Sequence, residues 1–175
     1  QTVTVTGEDD LVVDGSIAYS IITAAATSSD TNYNGVNPAD VTVSNGDNDA
    51  AGFTVSPTAG LVTSEAGATA TFTVRLNSQP SADVSVALSS SDSTEGTVGP
   101  VSLTFTTVNW NAAQTVTVTG VDDLIVDGSV AYTIITAAAT SSDSNYNGIN
   151  PADVSVSNGD NDAAGFTVSP TAGLV

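Results

Sequence analysis

Apolar residues recur at every second position in short runs along this chain, the signature of strands with one buried face. The runs are Phe53 and Val55 (continuing beyond Pro57 toward Leu61), Phe72-Val74-Leu76, Val84-Val86-Leu88 and Val101-Leu103-Phe105. They continue with Val116-Val118, Val130-Tyr132-Ile134 and Val154-Val156. Gly, Asn, Asp, Ser and Pro separate them, the residues that turns require. No long window carries helical spacing. Seven short strands within one stretch of this length predict an immunoglobulin-like antiparallel β-sandwich.

The pattern also repeats. Residues 1–62 read again as 114–175, an offset of 113, with differences only at Glu8/Val121, Val12/Ile125, Ile17/Val130, Ser20/Thr133, Thr31/Ser144, Val36/Ile149 and Thr42/Ser155. A period of this size is a whole domain rather than a solenoid turn. The expected organisation is the C-terminal part of a first repeat in 1–51, a complete sandwich in 52–164, and the first strand of a third repeat in 165–175, a window on a longer tandem array arranged as a rod.

Charge changes the picture next. The chain has 19 Asp and Glu against one basic residue, Arg75, and a formal charge of −18. That charge opposes nucleic-acid binding, which needs Lys and Arg to displace counterions, and docking on anionic membranes. No apolar run is long enough to span a bilayer, so no membrane insertion is expected. The 40% hydrophobic content, regularly alternating, argues for a folded chain rather than a disordered acidic one. His and Cys are absent, which leaves Ser and Thr without an obvious activating base and rules out thiolate sites. An enzyme is not expected.

If successive strands alternate in direction, the acids of the complete repeat fall unevenly. Glu65, Asp92, Glu95, Asp122, Asp123, Asp127, Asp160 and Asp162 share one end, against Asp83, Asp143 and Asp153 toward the other. Crowded carboxylates must be protonated or neutralised by a cation. Calcium, which takes 6–8 oxygen ligands, is the first choice and magnesium the second; zinc and copper usually recruit His or Cys. The alternative is loops that are acidic for solubility. An EF-hand is excluded, because counting from Asp47 puts Ala51 at position five and Thr58 at position twelve. Trp110, in Asn109-Trp110-Asn111, reads either as a plug for one end of the core, the favoured reading, or as a sugar-stacking platform. Arg75 reads as a surface charge.

Five features together resemble the Calx-beta family. They are Ser64-Glu65-Ala66-Gly67, the Asp-Ser-Thr-Glu-Gly turn at 92–96, the Leu-Thr-Phe run leading to Asn109-Trp110-Asn111, the Val-Thr-Val-Thr-Gly-Val-Asp-Asp run ending at Asp123, and Asn158-Gly-Asp-Asn-Asp162. The resemblance implies calcium at one end of the sandwich, with Glu65, Asp92, Asp122, Asp123, Asp127, Asp160 and Asp162 as ligands. In the first repeat the matching acids are Asp9, Asp10, Asp14, Asp47 and Asp49. Asn161 interrupts the consecutive acids with which family members often end. The expected role is a calcium-stiffened extender repeat of an extracellular bacterial adhesin or surface fibre, its partners the neighbouring repeats. Alternatives are a sheath or filament subunit associating laterally or end to end, and a carbohydrate- or protein-binding module accessory to a secreted enzyme.

Overall fold

A computed structural model describes residues 1–173. The chain divides into two compact units, Gln1–Ala50 and a second that begins at Ala51. The first is a single antiparallel hairpin of β1 (Ile17–Ile21) and β2 (Val41–Asn45), with Ile17 opposite Asn45 and Ile21 opposite Val41.

The second unit is an all-β, immunoglobulin-like sandwich. Its strands are β3 (Phe53–Ser56), β4 (Leu61–Ser64), β5 (Thr69–Leu76), β6 (Val84–Ser90), β7 (Gly96–Gly99), β8 (Ser102–Phe105), β9 (Gln114–Gly120), β10 (Val130–Thr136), β11 (Thr140–Ser141) and β12 (Val154–Gly159). One sheet runs β3-β5-β9-β7; the other runs β11-β6-β10-β12-β4, with β8 on β6. The alternating apolar residues meet between the sheets, where Phe72, Val74, Leu76, Val84, Val86, Leu103, Phe105, Val116, Val118, Ile134 and Val154 are all essentially buried. Trp110, 8% exposed, belongs to this core, where it plugs the sandwich.

Three details depart from the sequence pattern. The first expected strand divides at Pro57: β3 pairs with β5 in one sheet, whereas β4 crosses to the other and lies parallel to β12. Val101 is 68% exposed and precedes β8 rather than leading it, because the bend at Pro100–Val101 interrupts the alternation. And β7, with one apolar residue among glycines, gave no period-two signal. Residues 165–173 form no strand: Phe166 and Val168 are exposed, although their counterparts Phe53 and Val55 pair with β5 and pack on the core. A strand needs a partner ladder, and none is offered to this segment among the described residues. Leu174 and Val175 of the expected third repeat lie outside them.

The chain enters and leaves the sandwich at opposite ends. At the leading end Phe53 pairs with Leu76, the Asn77 amide donates to the Gly52 carbonyl (2.9 Å), and the Tyr146 hydroxyl donates to the Ser78 carbonyl (2.7 Å). At the other end Thr69 faces Thr119, Gly96 faces Gly120, and β4 and β12 finish side by side with Ser64 against Gly159. A side chain at Gly120 would strike the Ser64 carbonyl and Asn158, so this close approach of the two sheets requires glycine.

Candidate metal centre

Four segments meet at the second end, and each is shaped by its own sequence. In Ser64-Glu65-Ala66-Gly67 the Gly67 amide closes a tight turn on the Ser64 carbonyl (2.9 Å), with Gly67 at φ +81°, a conformation suited to glycine. The parallel β4–β12 pair continues one step further, the Glu65 amide donating to the Gly159 carbonyl (3.0 Å). That contact brings Glu65 to Asp160 and Asp162 across nearly the whole length of the repeat.

The Asp160 carboxylate organises the segment after β12. Its Oδ1 accepts from the Asp162 amide (2.6 Å) and its Oδ2 from the Gly128 amide (2.8 Å), tying this segment to the 121–129 loop. Glu65 Oε2 accepts from the Asn161 amide (2.8 Å), and the Asn161 side chain donates to Asp122 Oδ1 (3.1 Å). Within the loop, Asp123 Oδ1 accepts from the Ile125 amide (2.6 Å). Beneath lies a buried polar ladder: the Thr63 hydroxyl donates to Asn158 Oδ1 (3.0 Å) and meets the Tyr132 hydroxyl (3.1 Å). The Asn158 side-chain amide reaches Glu95 Oε2 (3.3 Å) and the Val121 carbonyl (3.0 Å).

Two trios of carboxylates result. Glu65, Asp160 and Asp162 present oxygens within 4.8 Å of one another, as do Glu95, Asp123 and Asp127. Glu65 and Glu95 are buried, at 4% and 6% exposure. Asp162 Oδ2 is buried and accepts no hydrogen bond among the described residues, an uncommon state for a buried polar atom.

The electrostatics follow from this crowding. The Asn161 amide draws the Glu65 carboxyl down, but burial and the charges of Asp160, Asp123 and Asp162 outweigh it and hold the group above its ordinary range. Burial, then the charges of Asp160, Asp122, Asp123 and Asp127, raise Asp162. Asp160 is held low by the Asp162 and Gly128 amides. The two trios feel each other, and they form one acidic basin.

Of the expected ligands, Glu65, Asp123, Asp127, Asp160 and Asp162 are brought together. Asp122 stands beside them on Asn161 but in neither trio, and Asp92 is turned to another task. Its Oδ1 accepts from the hydroxyl (2.5 Å) and amide (3.0 Å) of Thr94, which hold its carboxyl low, and its carbonyl accepts from the Gly96 amide. Asp92 thus caps the turn that delivers Glu95. Glu95, counted at this end by the sequence but left out of the ligand set, takes the buried place. The signal for this was the Asp-x-Thr spacing of a side-chain-capped turn.

The first unit repeats the local part of this arrangement. Asp47 Oδ2 accepts from the Gly15 (2.8 Å) and Asp14 (3.1 Å) amides and Oδ1 from the Asp49 amide (2.8 Å), while Asp10 Oδ1 accepts from the Val12 amide (2.8 Å). Glu8, Asp9, Asp10, Asp14, Asp47 and Asp49 line one cleft. Burial, then the charges of Asp9, Asp47, Asp10 and Asp14, raise Asp49, and the Asp49 and Gly15 amides lower Asp47. No trio of the kind seen in the sandwich is found there among the described residues.

No protein-family model and no curated protein sequence matches the chain. Among solved structures it is similar to the apo form of the Calx CBD1 domain, at 16% identity and a TM-score of 0.48, over 63% of this chain and 96% of that one. The periplasmic chaperone SfaE aligns at 10% identity and a TM-score of 0.49, over 68% and 61%. Domains 4 and 5 of the S-layer protein SbsC align at 18% and 0.39, over 89% and 74%.

Proposed function

We propose that the acidic end of the sandwich binds calcium, and that the chain is an extracellular structural segment in which this ion stiffens the passage from one repeat to the next. The observation that carries the reading is Asp162: its Oδ2 is buried and has no donor among the described residues, and its carboxylate groups with those of Glu65 and Asp160, one oxygen of each lying within 4.8 Å of the others. The chain's lone Arg and lack of Lys and His supply no nearby counter-charge. A hard, oxygen-seeking divalent cation supplies charge and coordination at once. Calcium, whose coordination number and geometry adapt, fits this carboxylate set better than magnesium, whose octahedral shell is strict.

The spacer role rests on the separation of the two ends. Asp49 is followed after two residues by Gly52, at the leading end of the sandwich, and Asp162 likewise by Gly165. In this reading an ion clamping the last residues before each junction removes freedom where bending would occur between successive copies. Such repeats serve a cell-surface adhesin or fibre, where millimolar calcium is met. The reading is non-enzymatic. Burial of Trp110 takes away the sugar-stacking platform that residue offered in the sequence.

Calorimetric titration of the intact chain with calcium, with melting followed in parallel and magnesium as control, tests the proposal. Binding heat and a raised melting temperature, both lost on Glu65→Gln, are expected. Neither signal at millimolar calcium would remove the reading, and unchanged scattering dimensions with and without EDTA would remove its stiffening part.

A further inference from the structure

The inward positions of two paired strands turn polar as they reach the acidic end. In β12 the inward run is Val154, Val156, Asn158, and in β4 it is Leu61, Thr63. Asn158 and Thr63 are register partners in the parallel β4–β12 pair, and each is 1% exposed. A buried polar side chain costs stability unless it is bonded, and an apolar pair of similar shape would serve the core as well. Packing alone therefore does not call for Asn158.

What Asn158 touches points to a task. Its side-chain amide donates to Glu95 Oε2 (3.3 Å) and to the Val121 carbonyl (3.0 Å), and its Oδ1 accepts from the Thr63 hydroxyl (3.0 Å). Both N–H groups of the amide are thereby used. Each partner marks the departure of a carboxylate-bearing segment. Thr63 precedes Glu65 by two residues, Val121 precedes Asp123 by two, and Asn158 itself precedes Asp160 by two. Glu95 is held directly. One buried side chain thus joins all four segments that deliver the two trios. The counterpart Asn45 in the first unit donates to the Glu8 carbonyl (2.6 Å). The bond to the loop therefore comes from local sequence, whereas the bonds to Thr63 and Glu95 belong to the complete sandwich.

We propose that Asn158 is the positioning residue of the acidic basin, setting the carboxylates of both trios in the arrangement that takes the cation. The proposal rests on the calcium reading of that basin and names what gives the site its geometry. Asn158 acts through its neighbours, since its one side-chain oxygen is engaged by Thr63 and its amide faces Glu95 and Val121. An acid would not serve in its place, because a carboxylate there would set its oxygens against the Glu95 carboxylate and the Val121 carbonyl.

Calorimetric calcium titration of the full chain, well below its melting temperature, tests this, with metal-free melting of each variant measured beside it. Asn158→Leu, close in shape, should weaken binding about 10- to 100-fold, the usual cost of losing a group that orients metal ligands. A merely structural Asn158 would lower the metal-free melting temperature and leave the affinity of the folded chain alone. Thr63→Val, which removes only the hydroxyl, should weaken binding less, and Thr63→Ser should restore it. Asn158→Leu combined with Glu95→Gln should weaken binding by less than the product of the single effects, because a charge already removed cannot be misplaced. A folded Asn158→Leu chain with wild-type affinity overturns the proposal, as do fully multiplicative effects in the double variant. Should Asn158→Leu fail to fold, Thr63→Val decides: unchanged affinity overturns the proposal, and a loss restored by Thr63→Ser upholds it. Absence of binding by the wild-type chain overturns the calcium reading and this proposal with it, whereas wild-type binding with indifferent variants overturns the role of Asn158 alone.

Discussion

Residues 1–50 and 114–163 have nearly the same sequence, yet they live in different surroundings. Tyr33 is 65% exposed where its counterpart Tyr146 is 1%; Val3 is 80% exposed against 0% for Val116, and Val41 54% against 0% for Val154. In the sandwich, the strands between Phe53 and Phe105 supply the opposing face. What survives without that face is local. The β1–β2 hairpin keeps the β10–β12 register, Ile17 opposite Asn45 as Val130 opposes Asn158. Asp47 accepts from Gly15 and Asp49 as Asp160 does from Gly128 and Asp162. Turn chemistry is encoded within a dozen residues; burial, and the completion of the acidic basin by Glu65 and Glu95, needs the other half of the repeat.

The comparison breaks most sharply on the tyrosines. Tyr146→Ala removes a fully buried ring and its hydroxyl bonds to Ser78, and should cost about 3–5 kcal/mol in denaturant unfolding. Tyr33→Ala should stay within about 0.5 kcal/mol. Equal costs would mean that the first unit buries this face after all.

Calcium gives the next largest contrast. At a hundredfold excess over its dissociation constant it should add about 2.7 kcal/mol to the sandwich. Glu65→Gln or Asp162→Asn should remove most of this, and Asp47→Asn, in the first unit, should leave it intact. Isothermal titration with thermal melts distinguishes these outcomes.

Asp92 and Glu95 sharpen the division between building the basin and belonging to it. Asp92→Ala leaves the Thr94 amide without its acceptor and should cost about 1 kcal/mol of stability with little change in calcium affinity. Glu95→Gln, which keeps the shape and removes the charge, should do the reverse.

The smallest effect is in pH. For Glu65 and Asp162 the folded carboxyl titrates above its unfolded value. Their contribution to stability is therefore full below about pH 4 and is lost as pH rises through the raised values. For Asp160 and Asp92 the folded carboxyl titrates lower, and their contribution is lost as pH falls through the depressed values. Metal-free melting temperatures should accordingly peak in the mildly acidic range and decline toward neutrality. Calcium should flatten that decline, and a metal-free profile still rising through pH 6 would contradict the crowding of these groups.

Much of this is legible in the sequence. The inward sets Phe72-Val74-Leu76 and Val84-Val86-Leu88 follow from alternation alone, because a pleat sends every second side chain to one face. The gathering of acids at one end followed from assuming antiparallel neighbours. The parallel β4–β12 pair was not legible, since nothing near Pro57 states which sheet the chain joins next, and this pair is what carries Glu65 to Asp160. Nor does residue type separate Asp92 from Glu95. Both are acids in one loop, and only the bonds to Thr94 make one a brace and leave the other facing inward.

A sandwich entered near Gly52 and left near Asp162, at opposite extremities, leaves both of its ends open to a following copy. On the proposed spacer reading, duplicating one 113-residue period in the gene would lengthen the molecule and deleting one would shorten it. Reach would then be a quantity that recombination between near-identical stretches of coding sequence adjusts in whole steps, with no new packing to be invented.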